Sequence, residues 1–91
     1  MSLPIRDDAA RSRFELEAGG VTVFMNYQRS SNVISLDHTE TPVAARGRGL
    51  ASQLVKGVLD EVRSRGLKIV PRCPFVRAYV ERHPEYRNLL A

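Results

Sequence analysis

Apolar and polar residues alternate through the first half of the chain, and this period predicts a small antiparallel sheet. Residues 13–18 place phenylalanine, leucine and alanine on one side and charged residues on the other, as expected of a strand with one buried face. A Gly-Gly pair at 19–20 predicts a tight hairpin, after which residues 21–28 alternate again. A polar turn then leads into a third strand from about 33 to 41, which completes an antiparallel meander.

The third predicted strand changes character along its length. Alternation places Ile34, Leu36, His38 and Glu40 on one face. The first two of these residues are apolar and the last two are polar, so the inner face loses its apolar pattern toward the end of the strand. We expect a functional site at that end.

The second half of the chain predicts a βαβ unit. A proline ends the third strand, and apolar residues from Leu50 to Val62 then recur at the spacing of an amphipathic helix. Gly66 supplies a C-terminal stop, and residues 67–70 form a short strand that a proline closes. The crossover of such a unit is right-handed, so the fourth strand should run parallel to the third.

A second helix over about 75–82 and a last turn through residue 90 complete the predicted fold. The His-Pro-Glu-Tyr segment at 83–86 is interpreted as a structural turn that closes the second helix. The predicted fold class is therefore α+β, with an antiparallel three-strand meander followed by a right-handed βαβ unit and a C-terminal helix. Residues 1–11 lack a sustained period and are expected to form a flexible leader, which leaves 12–91 as the domain.

Composition limits the classes of protein to which the chain can belong. Its 91 residues are 43% hydrophobic and 26% charged, which fits one compact domain. Because no apolar stretch is long enough for a transmembrane helix and the start lacks the layout of a signal peptide, we expect a cytoplasmic monomer without a membrane partner. Its single cysteine, Cys73, can form neither an internal disulfide nor a two-cysteine zinc site, and the histidines lack a matching ligand set, so no metal is predicted.

The charge of the chain favours an anionic ligand. The formal net charge is +4 and the pI is near 9.8, which suits nucleic acid, a membrane surface or a polyphosphate cofactor. The arginines are spread along the chain without a lysine-rich block. Aromatic residues do not alternate with basic ones on a strand, and no helix has a recognition pattern, so nucleic acid is not the expected partner.

A phosphate-binding loop is predicted where the third strand meets the long helix. Gly47 and Gly49 allow close approach of a ligand to the backbone, and the helix that follows offers unpaired N–H groups and the positive end of its dipole. Arg46 and Arg48 add guanidinium donors that suit phosphate oxygens. The alternative is a flexible loop before a helix, since short glycine-rich patterns are weak indicators.

The segment 46–51, Arg-Gly-Arg-Gly-Leu-Ala, resembles the Arg/Gln-x-x-Gly-x-Gly/Ala motif by which GCN5-related N-acetyltransferases hold the pyrophosphate of acetyl-CoA. His-Thr-Glu at 38–40, Pro-Arg-Cys-Pro-Phe-Val at 71–76 and His-Pro-Glu-Tyr at 83–86 occur in order around it. Together these motifs are similar to the minimal, single-domain branch of that superfamily, and the resemblance covers nearly all of the chain past the leader.

The resemblance implies an acetyl-CoA-dependent acyltransferase that moves an acetyl group to an amine of a small molecule, peptide or protein. It implies that the third and fourth strands separate, that the pantetheine arm fills the gap, and that a backbone N–H near Glu40 or Thr41 polarises the thioester carbonyl. The residues implied to bind acetyl-CoA or CoA are Thr41, Val43, Arg46, Gly47, Arg48, Gly49, Leu50 and Ala51.

The resemblance to the minimal branch implies that Cys73 is a candidate nucleophile, which would accept the acetyl group and pass it on. It follows the fourth predicted strand and precedes the second helix, and Arg72 and Arg77 lie close in sequence. The helix dipole and these cations should lower the pKa of its thiol. The alternative is that this lone cysteine is a small apolar filler.

His38 and Glu40 are candidate general bases for the acceptor amine, and His38 also for Cys73. Alternatively, His38 is hydrogen-bonded structure, and Glu40 forms an ordinary ion pair with Arg46 or Arg48. Tyr79 resembles a tyrosine that protonates the leaving CoA thiolate in larger relatives, although packing explains it as well.

The short N-terminus departs from the family pattern. Full-size relatives carry an additional N-terminal strand and helices that build much of the acceptor pocket, which a loose leader cannot supply. The acceptor site is therefore expected to be open or to be completed by a partner. The alternative function is a non-catalytic CoA-binding or interaction module.

Overall fold

The computed structural model describes residues 4–91 and consists of a five-stranded mixed sheet with helices packed on it. The strands and α-helices are β1 (Ile5–Asp8), β2 (Arg13–Ala18), β3 (Val21–Ser30), β4 (Val33–Glu40), α1 (Leu50–Ser64), β5 (Lys68–Pro71) and α2 (Pro74–Arg82). Three 3-10 turns cover Ala9–Arg11, Val43–Ala45 and Pro84–Leu89. In this part of the chain no helix is both long and apolar enough to cross a membrane.

The order of the strands in the sheet follows the chain, from β1 to β5. Strands β1 to β4 pair in antiparallel fashion, whereas β4 and β5 are parallel with Val33 opposite Lys68. The parallel pairing and the helix between the two strands confirm the predicted βαβ unit. The antiparallel meander has four strands instead of the predicted three.

The fourth meander strand is β1, which lies inside the predicted leader. Ile5 pairs with Leu16, and the hydroxyl of Tyr27 donates to Asp7 over 2.6 Å. Burial and this hydrogen bond raise the pKa of Tyr27 to about 12, so the hydroxyl remains a donor at neutral pH. A flexible leader is therefore wrong for residues 5–8, while residues 1–3 lie outside the described part of the chain. The prediction failed because Ile5 is the only apolar residue of this strand, and its partners are distant in sequence.

Helix α1 supplies much of the core that the sheet packs against. Its buried residues follow the predicted helical spacing, and the helix ends just before Gly66, whose φ of 72° is the left-handed conformation that favours glycine. Residues buried in the helix are Leu50, Leu54, Val55, Val58, Leu59 and Val62. They form one cluster with the inward residues of the strands, so the domain has a single core.

A one-residue bulge interrupts the pairing of β3 with β4. Asn26 is opposite His38 and Tyr27 is opposite Leu36, so Asp37 has no partner in the register. An extra residue reverses the alternation beyond it, and Thr39 is consequently opposite the buried Met25. The predicted shared face of Ile34, Leu36, His38 and Glu40 is therefore wrong. The last two residues lie on the opposite face of the sheet.

The C-terminal turn ties α2 to α1, as its interpretation as a structural turn predicted. The backbone N–H of His83 donates to the carbonyls of Tyr79 and Val80 at the end of α2. The hydroxyl of Tyr86 donates to Asp60 of α1 over 2.7 Å, and Arg63 donates to the carbonyl of Glu85 over 2.6 Å. These bonds tie the C-terminal end of α2 to α1 through the turn.

Gly57 of α1 provides a test of how β1 docks. A Cβ at this position would lie 2.8 Å from Cγ2 of Ile5, which is too close without a shift of the strand. Gly57→Ala should raise the free energy of unfolding by about 1 kcal/mol through helix propensity, but the overlap with Ile5 should cancel part of this gain. In an Ile5→Ala background the overlap is gone, so Gly57→Ala should stabilise the protein more than it does in the parent.

Urea unfolding of the four proteins of this double-mutant cycle measures the coupling, for which we expect about 1 kcal/mol. Equal effects of Gly57→Ala in both backgrounds would contradict the docking of β1 on α1.

Candidate active site

The candidate site is a gap that opens where β4 and β5 separate. The parallel pairing ends with Leu36 opposite Pro71, while β4 continues to Glu40. The backbone N–H of Cys73 donates to the carbonyl of Leu36 over 2.9 Å. Pro74 then begins α2, as its missing N–H and fixed φ favour at a helix start. Cys73 therefore lies between the end of one strand and the start of the helix, beside the point where β4 and β5 separate.

Two adjoining cavities fill the gap and extend from it toward α1. The larger, of about 430 Å3, is lined by His38, Thr39, Glu40, Thr41, Arg46, Ala51 and Phe75. The smaller, of about 210 Å3, is lined by Thr41, Ala45, Arg46, Gly47, Gly49, Leu50, Ala51, Ser52 and Phe75. Because four residues line both cavities, they form one groove, which we call the strand–helix groove.

The α1 end of the strand–helix groove has the geometry of an anion site. Gly47 and Gly49 have φ values of 83° and 71°, a left-handed backbone that side chains with a Cβ disfavour. Gly49 is the N-cap residue of α1, and no side chain caps the helix there. The first N–H groups of a helix lack intrahelical partners and carry the positive end of its dipole. An anion in the groove would meet these donors.

The two predicted phosphate arginines point to different places. Arg46 lines both cavities, and its Nε donates to the carbonyl of Thr41 over 3.3 Å. Arg48 extends instead to the hairpin between β2 and β3, where it donates to the carbonyl of Ala18 over 3.5 Å. Val43 is 75% exposed and, like Arg48, lines neither cavity. The other predicted cofactor residues, Thr41, Arg46, Gly47, Gly49, Leu50 and Ala51, all line the groove.

Cys73 is a buried thiol held by donors from two elements. It is 4% exposed and is the N-cap residue of α2. Burial acts to raise the pKa of the thiol, but hydrogen bonds from the Thr39 hydroxyl and from backbone N–H groups, among them those of Val76 and Phe75, outweigh it and lower the pKa below the usual value. The Sγ atom lies 3.6 Å from Oγ1 of Thr39, to which the protonated thiol donates; once the thiol is ionised, the hydroxyl donates to the thiolate instead. The lowered pKa agrees with the sequence prediction, but hydrogen bonds cause it, whereas arginines were predicted to contribute.

His38 and Glu40 form a hydrogen-bonded pair at the solvent side of the gap. The Nε2 atom of His38 lies 2.6 Å from Oε2 of Glu40, and both side chains are exposed and line the larger cavity. The hydrogen-bond partner of Glu40 is thus His38, and neither Arg46 nor Arg48 as the alternative interpretation had it. The hydrogen-bond partner of Cys73 is Thr39, on the helix side of the sheet, and not His38.

Tyr79 belongs to the core rather than to the groove. Its ring stacks on that of His83 at a centroid distance of 4.1 Å and packs near Tyr86. It is buried, lines neither cavity, and burial raises its pKa. These contacts support the packing interpretation over a role as proton donor.

Thr39 and Phe75 line the groove and were not singled out from the sequence. Thr39 sits inside the His-Thr-Glu segment, but alternation assigned it to the outer face, and only the bulge brings it inside. Phe75 follows Cys73 by two positions and lines both cavities. Its place in the Pro-Arg-Cys-Pro-Phe-Val segment was the available signal. Within residues 4–91, no group of three or more histidine, cysteine, aspartate and glutamate side chains could hold a metal ion.

The chain is similar to known proteins over nearly its whole length. Residues 13–89 match the family model described as GCN5-related N-acetyl-transferase. Protein NATD1 of Homo sapiens is 35% identical over 86 residues, which cover 89% of this chain and 76% of the relative. Protein NATD1 of Gallus gallus is 32% identical over 85 residues, which cover 90% and 77%.

A solved structure has the same fold. The NMR structure of a GCN5-like protein from Staphylococcus aureus superposes with a TM-score of 0.67 at 23% identity. The match covers 99% of this chain and 89% of that one. This likeness confirms the predicted fold class.

The pH dependence of Cys73 alkylation tests the origin of its lowered pKa. Because only the thiolate reacts, the rate with iodoacetamide should rise with a midpoint below that of a free cysteine. Since hydrogen bonds are the cause, Arg72→Gln and Arg77→Gln should leave this midpoint unchanged within error. A midpoint that rises in either variant would restore the arginines as the cause. The midpoint, not the absolute rate, is the readout, because burial slows the reagent at every pH.

Proposed function

Since the chain belongs to the GCN5-related N-acetyltransferase family, we propose that it binds acetyl-CoA in the strand–helix groove and transfers the acetyl group to an amine. The observation that carries this proposal is the continuity of the groove. It joins a helix N-terminus with unpaired donors to a gap that contains a hydrogen-bonded His-Glu pair and ends near a thiol.

The α1 end of the groove would hold the pyrophosphate of the cofactor. Gly47 and Gly49 leave the backbone open there, with nothing within 4 Å of a Cβ built on either glycine. Arg46 adds a guanidinium beside the helix N-terminus, which supplies both charge and directed donors. The residues present therefore fit an anionic group. The pantetheine arm would pass Thr41 and Ala51, which line both cavities, toward the gap beside β4.

His38 and Glu40 would act together on the acceptor. An alkyl ammonium must lose a proton before it can attack a carbonyl carbon, and a base in hydrogen-bond reach supplies this step. The contact of 2.6 Å between the two side chains lets Glu40 hold one ring nitrogen of His38 and stabilise the imidazolium that forms. Both side chains are exposed at the cavity, so an amine can reach them from solvent.

Cys73 would carry the acetyl group between the two substrates. Its thiolate attacks the thioester carbonyl and the CoA thiolate leaves, which forms an acetyl-cysteine. The amine, after giving its first proton to His38, then attacks that carbonyl. The C–S bond breaks, the nitrogen loses its second proton to solvent, an amide forms, and the Cys73 thiolate is regenerated. Direct attack of the amine on acetyl-CoA is the competing route, and it needs the His38–Glu40 pair but not the thiol.

The acceptor side of the site is open in the described residues. Strand β1 is present, but between it and β2 the chain forms only the 3-10 turn Ala9–Arg11, and no α-helix precedes β2. Such a site would favour acceptors whose amine protrudes from a larger surface, and it would tolerate acceptors of different shapes. A partner protein that completes the wall is an equivalent solution, because the groove itself needs no further element to hold the cofactor.

Calorimetric titration with CoA tests the position of the cofactor. Arg46→Ala should weaken binding by about tenfold or more, because it removes charge-assisted hydrogen bonds to phosphate. Arg48→Ala is the matched control: it removes the same charge two positions away, but that side chain extends to the hairpin. Its affinity should stay close to that of the parent. Equal losses in the two variants would mean that net charge alone, and not the groove, binds CoA.

Transfer assays with an amine acceptor, combined with intact mass, separate the two routes. On the two-step route Cys73→Ala loses transfer, whereas Glu40→Gln slows only the second step and accumulates acetyl-cysteine in the presence of acetyl-CoA. We expect Glu40→Gln to lower turnover by about a hundredfold.

Full transfer by Cys73→Ala would leave direct attack as the route. Binding of CoA with neither transfer nor acetylation of the parent would instead support a non-catalytic CoA-binding module.

A further inference from the structure

Thr39 lines the larger cavity, and its Oγ1 lies 3.6 Å from the Sγ atom of Cys73. We infer that Thr39 is a positioning residue for Cys73: its hydroxyl, turned into the gap by the bulge at Asp37, holds the Sγ atom and stabilises the thiolate. This inference rests on the proposed function in one respect, because that function makes the thiolate a nucleophile. The contact itself can be tested without acetyl-CoA or an acceptor.

The bulge is the reason that Thr39 reaches the thiol. In an uninterrupted β4, Thr39 would share a face with Val33 and Ser35, away from the helices. The unpaired Asp37 adds one residue, so Thr39 is instead opposite the fully buried Met25 on the helix side. The position of the hydroxyl thus follows from the backbone register, and a β-branched side chain has few χ1 rotamers with which to leave it.

The hydroxyl completes a set of donors around a sulfur that has little access to water. Cys73 is fixed by its own N–H bond to the carbonyl of Leu36, and N–H groups at the start of α2 approach its thiol from the helix side. Thr39 approaches from the strand side at 3.6 Å. A buried thiolate is costly unless donors replace the lost water, and in this structure two different elements provide them.

Charged groups near the gap are directed elsewhere. Arg72 faces Asp37 at 4.0 Å, and His38 and Glu40 contact each other. Arg77 is exposed on α2. None of the charged groups of β4, the β5–α2 connection or α2 is among the causes that shift the pKa of Cys73. The threonine hydroxyl is thus the side-chain group that distinguishes this thiol from an ordinary buried cysteine.

The test is the pH profile of iodoacetamide alkylation, which reports on Cys73 alone because the chain has a single cysteine. Thr39→Val keeps the shape and removes the donor, so the midpoint should rise by about one pH unit and the rate at neutral pH should fall about tenfold, with the high-pH plateau unchanged. Thr39→Ser keeps the donor and should retain the parental midpoint. Thr22→Val is the matched control, since it makes the same exchange on β3 without contact to the thiol.

An unchanged midpoint in Thr39→Val, or an equal rise in Thr39→Ser, would overturn the inference. A changed plateau with an unchanged midpoint would also overturn it, because it would show that Thr39 controls access only. Thermal unfolding of each variant verifies that the fold is intact. If Thr39→Val shifts the midpoint while Cys73→Ala retains transfer, the positioning role stands and the two-step route fails, so the two ideas are judged separately.

Discussion

One extra residue in β4 determines where the polar side chains of the gap point. Asp37 has no partner across from β3, and the strand on either side of it presents opposite faces. Leu36, just before it, is both the last residue to pair with β5 and the acceptor for the N–H of Cys73. Beyond it, Thr39 turns toward the helices and the thiol, while His38 and Glu40 turn toward solvent. Without the bulge, one face of the strand would carry all of the candidate chemistry and the thiol would lose its side-chain donor.

The distribution of the helices explains how a chain this small can leave a site open on both sides. The described residues form a single core cluster that includes α1, α2 and the C-terminal turn, so the outer face of the sheet is not needed for burial. The bond of Tyr86 to Asp60 ties the C-terminal end of α2 to α1, and the N–H of Cys73 ties its start to Leu36 of β4. Both ends of α2 are therefore fixed by hydrogen bonds that leave the side chains lining the larger cavity available to a ligand.

Much of the fold could be predicted because its signals are local. The alternation in residues 13–18 and the helical spacing from Leu50 to Val62 depend on neighbours along the chain, and both elements form where expected. Features that depend on distant pairing could not be predicted. Strand β1 has one apolar residue and is held by partners in β2, β3 and α1. The bulge is a property of how β3 meets β4, and nothing in the residues 33–40 alone marks Asp37 as the extra one.

In the candidate site, too, local features could be predicted from the sequence and features that depend on distant pairing could not. The glycine and arginine pattern at 46–51 identified the lining at the α1 end of the groove, because a helix start after a strand is a local arrangement. The direction of Arg48 depends on a hairpin thirty residues earlier in the chain, which no spacing rule includes. Cys73 was singled out because it precedes α2, but the side chain that hydrogen-bonds its thiol, Thr39, lies on β4. Local pattern thus locates a binding loop, whereas the pairing of strands decides which side chains can act on what is bound there.

In the proposed reaction, the groups on the two faces of the gap act in different steps. The thiol is buried on the helix side of the sheet and lines neither cavity, whereas the His38–Glu40 pair is exposed and lines the larger cavity of the strand–helix groove. On the proposed two-step route, the thiolate would attack a carbonyl in the gap from the helix side, and the amine would enter from the solvent side. The hydrogen bonds that lower the pKa of the Cys73 thiol ease its deprotonation. The His38–Glu40 pair, which does not contact the thiol, is placed to act on the acceptor, because the acceptor is the substrate that must lose a proton.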